Sequence, residues 1–159
     1  MRTKPERGLS ILPYQDDFKE AFFELNAEWI EAYFLIEPYD LEVLRNPRSM
    51  ILDQGGEIYF GAIGETIVAT FALTPREQGA IELNKMAVST KHRGLGIGNQ
   101  LMDYTIARCR ARGVSLLELY SNTKLKSALH LYRKFGFSEI PMPADCVYDR
   151  VNVRMQLVL

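Results

Sequence analysis

Arg93-Gly94-Leu95-Gly96-Ile97-Gly98 places three glycines at alternate positions, and the elements around it can be read outward from there. Ala80–Val88, rich in apolar residues, predicts a strand. Ser89–Arg93 is a basic turn, Gly94–Gly98 a glycine turn, and Asn99–Arg112 has the spacing of a helix. Glycines reach backbone conformations closed to residues with a Cβ, and they let a ligand approach the main chain. The helix that follows starts with unpartnered N–H groups and a partial positive charge. Strand, glycine turn and helix start together predict a site for a phosphate or pyrophosphate.

Three phosphate-binding turns compete for this pattern. A P-loop needs four residues between its glycines and then Lys-Ser or Lys-Thr, whereas Asn99-Gln100 follows Gly98. A dinucleotide fingerprint needs glycine or alanine three positions after the second glycine, where this chain has Asn99. Both spacings fail.

The flanks predict an α/β chain with a mixed sheet. Leu9–Tyr14 is a short strand weakened by Pro13, and Asp16-Asp17 opens a helix whose face holds Phe18, Phe22, Leu25 and Trp29. The apolar pattern continues through Tyr33, Phe34 and Ile36, so a break is expected near Glu28–Glu31. Asp40–Arg45 reads as a short helix ended by Pro47. Trp29, Tyr33, Phe34 and Tyr39 exceed what one buried stripe needs; they are either core or the wall of an acceptor pocket. Glu57–Ile63 and Thr66–Leu73 flank Gly64-Glu65 as a hairpin. After the glycine turn, the helix ends at Gly113 and Val114–Tyr120 forms a strand. This strand–helix–strand unit predicts a parallel pair with a right-handed crossover. Ser121–Thr123 is placed to cap a helix carrying Leu125, Ala128, Leu129, Tyr132 and Phe135. Ser138–Ile140 and Val151–Leu159 are the last strands.

Arg93-x-x-Gly96-x-Gly98 resembles the Arg/Gln-x-x-Gly-x-Gly/Ala signature of the GNAT N-acetyltransferase superfamily. Ala128 through Phe137 resembles that family's Ala-x-x-Leu-Tyr-x-Lys-x-Gly-Phe segment. The close resemblance covers about Ala80–Phe137. It implies a single-domain GNAT-like fold over residues 1–159, with Met1–Gly8 a loose tail. The sheet would be mixed but mostly antiparallel and flanked by helices, and its parallel strands would splay around acetyl-CoA. The main chain of Met86, Ala87 and Val88 would bind pantetheine. The turn from Gly94 through Leu95, Gly96, Ile97 and Gly98 to Asn99 would hold the pyrophosphate, with Arg93 beside it. Asn122 would either bond pantetheine or cap a helix. One departure stands out: Leu125 occupies a position where many members carry asparagine.

The implied chemistry is transfer of an acetyl group from the CoA thioester to a primary amine by direct attack. An amine of the lysine type has a pKa of about 10.4 and must lose a proton before it attacks. Glu82, six residues before Val88, is the candidate base, against an alternative as a salt bridge to Lys85 or an arginine. Tyr132 is the candidate acid for the leaving thiolate, against an alternative as a core tyrosine. Cys109 and Cys146 form no metal or disulfide pattern, and no metal is expected.

The composition is that of an ordinary soluble globular protein with net charge −1, which predicts neither nucleic-acid nor membrane binding. Cysteine usage and the charged N-terminus fit a reduced, cytoplasmic setting. The acceptor is a small-molecule amine or a peptide or protein amine, and the exposed strand edges would suit a homodimer. Two competing functions remain: a non-catalytic acyl-CoA-binding regulatory module, and a nucleotide-dependent oxidoreductase weakened by the glycine spacing.

Overall fold

The computed structural model describes residues 8–146 and 149–159, so all of the expected tail except Gly8 lies outside them. Seven strands form one sheet: β1 (Leu9–Pro13), β2 (Glu57–Ile63), β3 (Thr66–Pro75), β4 (Ile81–Val88), β5 (Leu116–Ser121), β6 (Ser138–Ile140) and β7 (Val153–Val158). Their spatial order is β1-β2-β3-β4-β5-β7-β6. Only β4 and β5 run parallel; every other neighbouring pair is antiparallel. The mixed, mostly antiparallel sheet is therefore as read from the sequence. Pro13 sits in edge strand β1, where a missing N–H costs least.

Helices cover both faces. On one, α4 (Ile97–Ala111) and α5 (Lys126–Lys134) bury Leu101, Met102, Cys109 and Leu129 against Leu83, Leu117, Leu119 and Met155. On the other, α1 (Lys19–Tyr33) and α2 (Pro38–Arg45) bury Phe22, Ile30 and Leu44 against Ile58, Phe60 and Ala72. With both faces covered, β2 and β3 are buried almost continuously rather than alternately.

Three boundaries correct the sequence reading. The first helix does not break at Glu28–Glu31; it runs unbroken to Tyr33. No glycine or proline interrupts it, and its end comes where Phe34 turns extended (φ −145°, ψ −179°). Pro38 then occupies the first turn of α2, where its missing N–H costs nothing, and the Asp40 carboxylate accepts the Glu37 N–H at 2.9 Å. Pro47 likewise starts a new single turn, α3 (Pro47–Met50), rather than only ending α2. The glycine-turn helix begins at Ile97, two residues before the expected Asn99, so Gly98 belongs to the helix.

Candidate active site

The glycine turn is made of backbone. Gly94 and Gly96 hold φ of 77° and 74°, and a Cβ on either would meet no atom of the described residues within 4 Å. Their requirement is conformational, and the space beside them is open. Gly98 differs: a Cβ there would lie 3.2 Å from Leu131 Cδ2, so it is a close-packing glycine between α4 and α5. No side chain among the described residues caps the start of α4, and Gly96, Ile97, Gly98 and Asn99 line a cleft of about 1420 Å³. Leu95 projects outward, 60% exposed. The turn is anchored from the far side by α1. Glu28 Oε1 accepts both the Thr90 N–H and its hydroxyl, at 2.7 and 2.6 Å, and these bonds hold its carboxyl below the usual range. Arg93 is exposed at the mouth. His92, next to it in the chain, is half-buried, and its Nδ1 has no hydrogen-bond partner among the described residues.

The cleft exists because β4 leaves β5. The parallel pair is matched only at Ile81–Leu117, Glu82–Glu118 and Leu83–Leu119. Immediately beyond, Lys85 and Met86 of β4 stand opposite the single residue Phe71 of β3, a bulge in which Lys85 takes φ 52°. A bulge increases local twist and bends the strand. β5 meanwhile continues alongside β7 to Ser121–Val153. Met86, Ala87 and Val88 are left lining the gap.

Glu82 is buried, 7% exposed, on the floor of the cleft. Its Oε1 accepts Arg76 Nε and Nη2 at 3.1 and 2.9 Å, and its Oε2 accepts Asn84 Nδ2. The arginine partner anticipated as an alternative is thus present, and the carboxylate still faces the cleft. Asn84 Oδ1 is buried with no hydrogen-bond partner among the described residues. Tyr132 lines the same cleft, its ring 5.9 Å from that of Phe137. Burial pushes its phenol up to about 12, so it stays protonated at neutral pH and can donate. The packed-ring and cleft-facing readings of this residue are compatible.

Asn122 is at the cleft wall, with both ends of its amide in use. Oδ1 accepts the Lys124 N–H at 2.8 Å and Nδ2 donates to the Arg150 carbonyl. It closes the turn after β5; it does not cap α5, which starts at Lys126 behind Leu125 without a side-chain cap. Asn99 Oδ1 accepts from Lys134 Nζ at 2.6 Å, bringing a second cation to the start of α4.

The opposite half of the cleft is built from side chains. Trp29, Tyr33, Phe34 and Tyr39 all line it. Tyr33 and Tyr39 are 44% and 40% exposed, and Leu35 beside them is 87% exposed. Arg150, from the segment before β7, closes this end. It forms two bonds to the fully buried Asp40, at 2.6 and 2.7 Å, and one to Glu37 at 3.2 Å, with its guanidinium 5.8 Å from the Trp29 ring centre. Asn84, Asp40 and Arg150 were missed as site residues by sequence reading, which named Lys85 only as a salt-bridge alternative for Glu82 and left the arginine, Arg76, unidentified. Arg76, Asp40 and Arg150 lie on separate segments and belong to no short motif, and Asn84 and Lys85 sit beside Glu82 in β4 without a spacing signal of their own.

A turn of amides opening between two diverging parallel strands defines a class, and comparison with known proteins agrees. Residues 16–137 match the model of the acetyltransferase (GNAT) family. The chain therefore belongs to the GNAT acetyltransferase family. N-acetyltransferase 8B of Rattus norvegicus is 28% identical over 97 residues, 58% of this chain and 44% of that protein. The chain spans less than half the length of the curated relatives it matches. A GNAT-family acetyltransferase structure from Staphylococcus aureus superposes with a TM-score of 0.84 at 26% identity, covering 94% of this chain and 98% of that one. The fold is shared with a Bacillus subtilis acetyltransferase solved in complex with CoA, at TM-score 0.73 and 20% identity, covering 96% and 99%.

Proposed function

We propose that this chain transfers an acetyl group from acetyl-CoA to a primary amine by direct attack within the cleft. The observation that carries this reading is the three-residue limit of the β4–β5 pairing, beside a helix start that no side chain among the described residues caps. Acetyl-CoA supplies the activated acyl group. The main chain of Met86, Ala87 and Val88 offers strand-like hydrogen bonds to its pantetheine arm. The amides from Gly94 to Asn99 neutralise the pyrophosphate, with Arg93 and Lys134 adding positive charge. A main-chain amide near Val88 polarises the thioester carbonyl.

Glu82 takes the proton from the amine, directly or through water. Its bonds to Arg76 and Asn84 fix the position of the carboxylate. Tyr132 donates to the departing thiolate. The aromatic loop around Tyr33, Phe34 and Tyr39 receives the acceptor, whose body is apolar next to its amine.

The test combines calorimetry with CoA and labelled acetyl-CoA offered to a panel of amines, peptides included. Micromolar CoA binding with label appearing on an amine supports the reading. Binding without turnover on any amine would leave an acyl-CoA-binding module instead. Tyr132→Phe should lower kcat by about tenfold or more while leaving CoA affinity unchanged; equal turnover would remove Tyr132 from the chemistry.

A further inference from the structure

Lys85 is the residue the proposed mechanism leaves unused. It is the one non-glycine residue within a described strand that has a positive φ, and left-handed backbone at a lysine is uncommon. Such strain persists only where surrounding structure holds it, and it gathers at functional sites. The bulge breaks the strand's alternation and sets the Lys85 side chain on the cleft, one residue before the Met86 main chain. Its amino group is desolvated there. It faces Arg150 from the segment before β7, Asp40 from α2, Glu82 from its own strand and Arg76 from the β3–β4 loop. A primary amine thus already sits among the groups assigned to the acceptor, near the carboxylate assigned as base.

We propose that Lys85 is itself an acetyl acceptor, so that the enzyme acetylates its own cleft when no external amine is present. This rests on acetyl-CoA being the donor. The neutral Nζ attacks the thioester carbonyl carbon, the C–N bond forms and the C–S bond breaks. The proton lost by nitrogen passes to Glu82, and the departing thiolate takes one from Tyr132. Nothing is oxidised or reduced, and the products are an Nε-acetyl-lysine and CoA.

A further observation and a general principle support the step. Burial, followed by the charge of Arg150, brings the ammonium of Lys85 down to about 8. At pH 7 its neutral share is then about 300 times that of an ordinary exposed lysine. Fixed placement beside a bound donor also removes the entropy cost of a bimolecular encounter. The product would lose the positive charge between Asp40 and Glu82 and fill the acceptor half, so self-acetylation would be self-limiting and blocked by an external amine.

The experiment incubates the full chain with isotope-labelled acetyl-CoA without amine, and follows each lysine by peptide mass spectrometry from pH 6 to 9. CoA calorimetry and the amine panel run in parallel. The expected result is Lys85 labelled at least tenfold faster than exposed Lys19, Lys91 and Lys126, with a rate rising up to about pH 8 and suppressed by excess unacetylated CoA. Lys85→Arg should bind CoA with unchanged affinity and lose this fast label. Label at Lys85 no faster than at the exposed lysines, or indifferent to competing CoA, overturns the proposal. An unlabelled Lys85 alongside labelled amines overturns it alone; absence of CoA binding overturns the donor reading as well.

Discussion

The two halves of the cleft are made of different material. The half assigned to CoA is main chain: two left-handed glycines, an uncapped helix start and a strand edge released by a bulge. The half assigned to the acceptor is side chain: an aromatic loop, the Arg76–Glu82–Asn84 group and the Arg150–Asp40–Glu37 latch. Backbone sites depend on conformation and tolerate change in most side chains nearby. Side-chain sites depend on the identity of each member. The CoA half should therefore fail only when φ or the close approach is disturbed, and the acceptor half at many single truncations.

The largest effect should come from Glu82→Gln, which keeps shape and removes the base. A loss in kcat of about 10²–10⁴ with unchanged CoA affinity is expected from steady-state kinetics and calorimetry. A loss of CoA binding instead would erase the boundary between the halves. Next is Asp40→Asn, which leaves the nearly buried Arg150 facing a neutral amide. Urea unfolding should show a loss of about 3 kcal/mol, since the nearly buried guanidinium loses the carboxylate that takes its two shortest bonds and keeps the longer one to Glu37; a change near zero would mean the latch contributes little.

Gly96→Val should weaken CoA binding by about 100-fold. A β-branched residue resists φ 74°, and its side chain would stand in the open space beside the turn. Because no atom of the described residues lies within reach of that Cβ, the fold should survive, and circular dichroism with calorimetry separates the two outcomes. The smallest effect belongs to Leu35→Ala. At 87% exposure its loss should leave stability unchanged while raising the acceptor KM by about threefold. An unchanged KM across the amine panel would remove the loop from acceptor recognition.

The glycine turn and the elements that flank it were almost fully legible in the chain. Glycine spacing is a local property, and so is the conformation it permits, so Gly94 and Gly96 could be placed before any tertiary contact was known. The last strand and the Gly64-Glu65 hairpin were equally local, and all three strands formed close to where expected. The misreadings fell where a local pattern had more than one outcome. Apolar residues at Trp29–Phe34 fit one helix or two, and the absence of a breaking residue favoured one. Ser121–Thr123 suited a cap, but Asn122 is taken up by Lys124 and Arg150 instead.

Spacing along the backbone thus specified the strand, the glycine turn, the helix and the family to which they belong. It did not specify the acceptor half. Arg76, Asp40, Lys85 and Arg150 come from four separate segments, and a single residue of any type carries no record of which distant residue it will meet. Their meeting depends on a bulge in β4 and on the packing of α2 against the sheet. Both are outcomes of the whole chain burying its apolar surface at once, which is why local order could be read and convergence could not.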